Sequence, residues 1–186
     1  MNRAAAWMLA VTASATLLAQ ISRPAVDADT AIMLDFQKRV ETYLQLRKGV
    51  EAQMPKLKST PSQEKIAHHE EELGRAIREA RKNAKQGDIF TPEISAEIRR
   101  LTTMAMQPGD GAHISQSLRH AEPVHIHLVV NDRYPHRVPL QSTPPSLLDN
   151  LPKLPPEIEY RVTGTDLVLL DAQANLIIDL IPGMFS

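Results

Sequence analysis

The run Glu157-Ile158-Glu159-Tyr160-Arg161-Val162-Thr163-Gly164-Thr165-Asp166-Leu167-Val168-Leu169-Leu170-Asp171-Ala172-Gln173-Ala174-Asn175-Leu176-Ile177-Ile178-Asp179-Leu180-Ile181 decides the fold. Ile158, Tyr160 and Val162 alternate with Glu157, Glu159 and Arg161, the period of a strand with one face on a core. Gly164 turns the chain into Leu167 to Leu170, and Asp171 to Asn175 turn it again into Leu176 to Ile181. The pattern predicts a three-stranded antiparallel meander. The middle and final strands are apolar on both faces, so they need cover on two sides, and about sixty residues of sheet region bury too little surface to stand alone. Helices must therefore pack on the sheet, which makes the chain one α+β unit.

Those helices are written upstream, over residues 29–106. Ile32, Phe36, Tyr43, Val50 and Met54 fall on one side of a helical wheel, with Val40 at its edge, and Asp29 or Thr30 serves as N-cap. Pro55 ends this first helix. Thr60-Pro61-Ser62-Gln63 has the form of a capping box with Pro61 at the first helical position, starting a second helix that runs to Gln86 before the Gly87-Asp88 stop. Its apolar side is Ile66, Leu73, Ile77, Ala80 and Ala84. Two such helices joined by a short turn form an antiparallel hairpin. Thr91-Pro92-Glu93 starts a shorter third helix with Ile94, Ile98, Leu101 and Ala105, and Phe90 is placed to staple onto Ile94.

Residues 107–122 read as a linker, because Pro108-Gly109-Asp110-Gly111 cannot continue a helix and the following polar stretch has no apolar period. Residues 123–186 form a Pro-rich small β region: nine of the 14 prolines lie between Pro123 and Pro182. Here Val124, Ile126, Leu128 and Val130 alternate with His125, His127 and Asn131, which predicts one further half-buried strand. A short helical turn is expected from Ser146 to Asn150.

The N-terminus carries an address. Arg3 supplies a positive start and Ala4 to Ala19 contain no charge, the pattern of a Sec-type signal peptide over residues 1–19. The stretch is rich in Ala, Thr and Ser, unlike the ~20 strongly apolar residues of a spanning helix. Cleavage after Ala19 removes Trp7, the sole tryptophan, and leaves no stable membrane span. The expected location is periplasmic or secreted. With 21 basic against 22 acidic residues the chain lacks the bulk basicity of a nucleic-acid binder. The absence of cysteine excludes disulfides, thiolate metal sites and a thiol nucleophile, so packing alone must stabilise the mature chain.

The segment from Leu151-Pro152-Lys153-Leu154-Pro155-Pro156 through Tyr160-Arg161-Val162, Asp166 to Asp171 and Asn175 to Asp179 resembles the ending of a family of exported bacterial proteins of unknown function. More distantly it is similar to the C-terminal hairpin of periplasmic nickel/cobalt-homeostasis proteins. The resemblance implies a periplasmic setting and a link to metal stress, and supplies no catalytic residue. The chain departs from the metal-homeostasis pattern at Ala172-Gln173-Ala174-Asn175, where a Gly-containing turn is usual, and in its long helical front half.

Among candidate chemistry, His125 and His127 share a face of the expected strand, a spacing that suits a divalent transition metal, and five of the seven histidines lie between residues 113 and 136. The plainer account places these imidazoles on the solvent side of a half-buried strand. His68 and His69 on the second helix point about 100° apart and cannot form one compact site. Arg75, Arg78, Lys82 and Lys85 read as a solvated stripe, and Glu71 is placed to pair with Arg75. Ser115 and Ser117 near His113 and His120 lack a nucleophile elbow, and Glu157 and Glu159 lack a cleft. Asp166, Asp171 and Asp179 are expected at strand ends or on a polar face, the first two as turn residues. The sequence therefore points to an exported, non-catalytic binding or accessory protein with no catalytic residue, no cofactor, and an unidentified protein or small ligand as partner. The alternative is a periplasmic metal-binding or metal-homeostasis protein using His125 and His127, and a third reading is a hydrolase, which requires the Pro-rich connection to fold over the histidines. Phe36, Tyr43 and Val50 also offer a stripe for homodimerisation.

Overall fold

The computed structural model describes residues 27–106, 127–135 and 145–185. The expected signal peptide, the linker and His125 lie outside them. Three helices, α1 (Ala28–Glu51), α2 (Gln63–Ala80) and α3 (Pro92–Ala105), are followed by a single short turn, α4 (Pro145–Leu148), and by strands β1 (Ile158–Thr163), β2 (Asp166–Asp171) and β3 (Leu176–Ile181). The strands form one antiparallel sheet in the order β1-β2-β3, the meander expected from the sequence. The chain is an α+β protein.

Register sets which side chains face the helices. Ile158, Tyr160 and Val162 stand opposite Asp171, Leu169 and Leu167, so all six share one face. That face and the helices bury Phe36, Val40, Tyr43, Leu73, Ile77, Ile94 and Ile98 in one core with Leu176, Ile178 and Ile181. Phe36 and Phe90 stack with ring centroids 5.8 Å apart, so Phe90 reaches past its own helix to α1. The opposite face buries Val168, Leu170, Ile177 and Leu180 under Leu128 and Tyr134. Cover on both faces is what the apolar β2 and β3 demanded.

Helix boundaries follow from caps and from tertiary competition. The N-cap of α1 is Asp27 rather than Asp29 or Thr30, because its carboxylate accepts from Thr30 N at 2.8 Å and from the Thr30 hydroxyl at 2.9 Å. The N-cap of α2 is Ser62, which accepts from Lys65 N; Pro61 precedes the cap instead of opening the helix. Thr91 caps α3 as expected, with Pro92 in the first turn. Helix α2 stops at Ala80, six residues short of the expected Gln86. Its last carbonyls, on Arg78 and Arg81, are taken by the Asn131 side-chain amide at 3.0 Å each, and the backbone beyond is engaged by β3. Ile66, expected on the buried side, is exposed because α2 meets the core only from Leu73 onward.

The expected strand over residues 124–131 is corrected where it is described. Residues 127–131 run into a turn, with Asn131 at φ +66°, and only Arg133 bridges to Leu176 of β3. The amide of Asn131 donates to Ile177 O at 2.8 Å and that of Ile177 to Asp132 O at 2.9 Å. The left-handed backbone that lets Asn131 cap α2 is incompatible with an unbroken strand.

Candidate functional site

A bulge between Leu169 and Leu170 adds a residue to β3, so that Asp179 pairs with Leu169 and faces the helices. Asp171, paired with Ile158 and Leu176, faces the same way. Both carboxylates are fully buried. A buried carboxylate costs several kcal/mol unless donors surround it, and the sequence provides them. Gly87, at φ +90°, bends the chain so that its own N–H and those of Ile89 and Phe90 converge on Asp179 at 3.0, 2.8 and 2.8 Å. The N–H of Leu180 adds a fourth donor at 2.8 Å. Asp171 accepts from Tyr43 Oη at 2.7 Å, Arg47 Nε at 2.8 Å and the turn amides of Gln173 and Ala174. It is thus a turn residue, as expected, and also the anchor of α1. Burial and the neighbouring Asp171 charge push the Tyr43 phenol well above its ordinary value.

Arg81 lies across this network. Its guanidinium carbon sits 5.1 Å from the centre of the Tyr43 ring, and Nη2 donates to Ile178 O at 3.0 Å. Nη1 is buried and has no hydrogen-bond acceptor among the described residues. Burial holds this guanidinium below its ordinary pKa, against the raising influence of Tyr43, Asp179 and Asp88.

Above the network an open groove of about 390 Å³ runs between α1 and the segment that follows α2. Asp35, Lys38, Arg39, Thr42, Tyr43 and Leu46 line it from α1, and Arg81, Asp88 and Ile89 line it from the other side. Arg39 pairs with Asp35 at 2.7 Å and donates to Asp88 O at 2.8 Å, bridging the walls. Lys38 has no ion-pair partner among the described residues. A second groove of about 590 Å³ lies at the α1/α2 turn and carries Lys56, Lys58, His68, His69 and Glu72.

The residues singled out in the sequence do not assemble here. His127 is exposed, and among the described residues no group of three His, Asp or Glu side chains is placed to hold a metal ion. His68 lies 3.4 Å from Glu72 on the exposed side of α2. Glu71 meets Arg133 at 3.4 Å instead of Arg75, which pairs with Glu72. Glu159 pairs with Arg161 beside it. Phe36 and Tyr43, offered by the sequence as a dimer stripe, are buried in the chain's own core. What sequence reasoning missed is the pair Asp171 and Asp179 with Tyr43, Arg47 and Arg81. One signal was present: Asp179 interrupts a run of otherwise apolar residues, Leu176 to Ile181, where an unpaired charge is untenable.

No family model, no curated protein and no solved structure matches the chain.

Proposed function

We propose that this is an exported, non-catalytic binding protein. The observation that carries the reading is the contrast between its buried and its open ionisable groups. Asp171 and Asp179 have their carboxylate oxygens engaged by backbone amides, Tyr43 and Arg47, so they act as struts rather than as bases. The groove beside them is open and lined by Lys38, Arg39 and Arg81 together with Asp35 and Asp88, which suits recognition of a ligand. Export is supported by the charge-free run from Ala4 to Ala19.

The test is expression of the full chain in a bacterial host, followed by fractionation and N-terminal sequencing. The expected outcome is an extracytoplasmic form lacking Trp7 that turns over none of a panel of ester, phosphoester, glycoside and peptide substrates. An uncleaved chain confined to the cytosol, or turnover abolished by a substitution in the groove, overturns the proposal. Metal binding through His125 and His127 is supported by their spacing alone. Zinc and nickel calorimetry on the wild-type chain and on His125→Ala/His127→Ala decides it.

A further inference from the structure

We propose that the turn between α1 and α2 docks on an anionic lipid surface, with Lys56, Lys58 and Lys65 meeting headgroup phosphates and Leu57 entering the headgroup layer. The hollow at this turn shares no lining residue with the groove beside Tyr43. The inference therefore goes beyond the binding-protein reading and holds whatever that groove takes up. Residues 55–68 are exposed, apart from the half-buried Thr60 and Ser62. Helix α2 joins the core only from Leu73 onward, so its first two turns and the preceding loop stand clear of the packed body. A broad partner has access to them.

Charge selects an anionic partner. Lys56, Lys58 and Lys65 line one open hollow of about 590 Å³ together with Leu57. All three lysines are exposed, and none has an ion-pair partner among the described residues. Two carboxylates line the same hollow. Glu72 is engaged by His68 at 3.4 Å and by Arg75 at 3.8 Å, which leaves Glu64 to face three ammonium groups. The whole chain carries 21 basic and 22 acidic residues, so this cationic excess is local to the turn. Leu57 decides between anionic partners. It is 42% exposed between two of the lysines. A soluble polyanion would satisfy the lysines and leave Leu57 in water, whereas a bilayer sets phosphates directly above acyl chains and accommodates both. The lysine stems can lie along that boundary with their ammonium groups at the phosphates.

The experiment floats the full chain with vesicles of phosphatidylcholine alone and with vesicles containing phosphatidylglycerol. Flotation is expected only with the anionic vesicles. Lys56→Glu/Lys58→Glu is expected to weaken it about tenfold or more, and Leu57→Ser about threefold to tenfold. Lys38→Glu, at least about 20 Å away along α1 and beyond the screening length, is expected to change it less than about twofold. The chain has no cysteine, so Ser59→Cys carries a single environment-sensitive fluorophore at the turn. Its emission is expected to shift to the blue on anionic vesicles, while the same label at Lys38→Cys stays unchanged. That readout separates the turn from the apolar run between Ala4 and Ala19. The inference is overturned if neutral vesicles bind equally well, if flotation survives Lys56→Glu/Lys58→Glu, or if the Ser59→Cys label does not respond. A label that responds to heparin and not to vesicles makes the partner a soluble polyanion and overturns it too.

Discussion

Asp179 is held by four N–H donors and, among the described residues, faces no cation at hydrogen-bond distance. Its charge is balanced by oriented backbone dipoles, the arrangement that makes a carboxylate tolerable without water. Asp179→Asn keeps the shape and replaces one acceptor oxygen with an NH₂ that opposes N–H groups. The expected loss is roughly 2–4 kcal/mol, from unpaired buried donors and the lost charge, read as a lowered urea midpoint with unchanged slope. Asp166→Asn, where a part-buried carboxylate receives Gly183 N at 2.9 Å, is expected to lose about 1 kcal/mol or less. Equal effects at the two sites would mean that the convergence of Gly87, Ile89 and Phe90 on Asp179 matters little. In the sequence this site was half legible: an Asp amid Leu and Ile signals a buried partner, but the partner is a set of backbone amides that no residue pattern announces.

At the scale of elements, the sheet and helices touch through backbone as well as side chains. Gly74 sits in α2 where the Ala174 carbonyl of the β2–β3 turn approaches, and a Cβ there would lie 2.6 Å from that oxygen. The neighbour is backbone and cannot swing aside, so Gly74→Ala is expected to lose roughly 1–3 kcal/mol. Gly49 in α1 has nothing within 4 Å of the corresponding position, and Gly49→Ala is expected to gain about 0.5–1 kcal/mol from helix propensity. Thermal melts of the two variants, moving in opposite directions, check the α2–turn contact against ordinary helix energetics. Helix starts were readable to within three residues, because caps are local. The end of α2 was not, because Asn131, fifty positions away from Arg81, decides it.

For the whole molecule, pH response follows from Tyr43 and Tyr160, two phenols buried in the one core. Burial raises both above the ordinary value of 10.0, with Asp171 adding to the effect at Tyr43. Below pH 10 both are protonated whether the chain is folded or not, so their contribution is constant. Above it the unfolded chain releases protons that the folded chain keeps, so stability falls, by up to about 1.4 kcal/mol per pH unit for each phenol. Phenolate absorbance from these two residues is therefore expected to appear only as the fold is lost in alkali, and Tyr43→Phe should remove its share of the alkaline slope. Absorbance rising before unfolding would contradict the burial. By itself the sequence determined the α+β class, the three helices and the meander, because periodicity, capping residues and turn residues act over a few positions. Only the tertiary structure decided where Asp171, Asp179 and Arg81 point, that the Phe36 and Tyr43 stripe serves this chain's own core, and that a groove opens beside it. Those outcomes depend on a bulge in β3 and on contacts between residues 49 to 128 positions apart, and nothing within a short window of sequence encodes either.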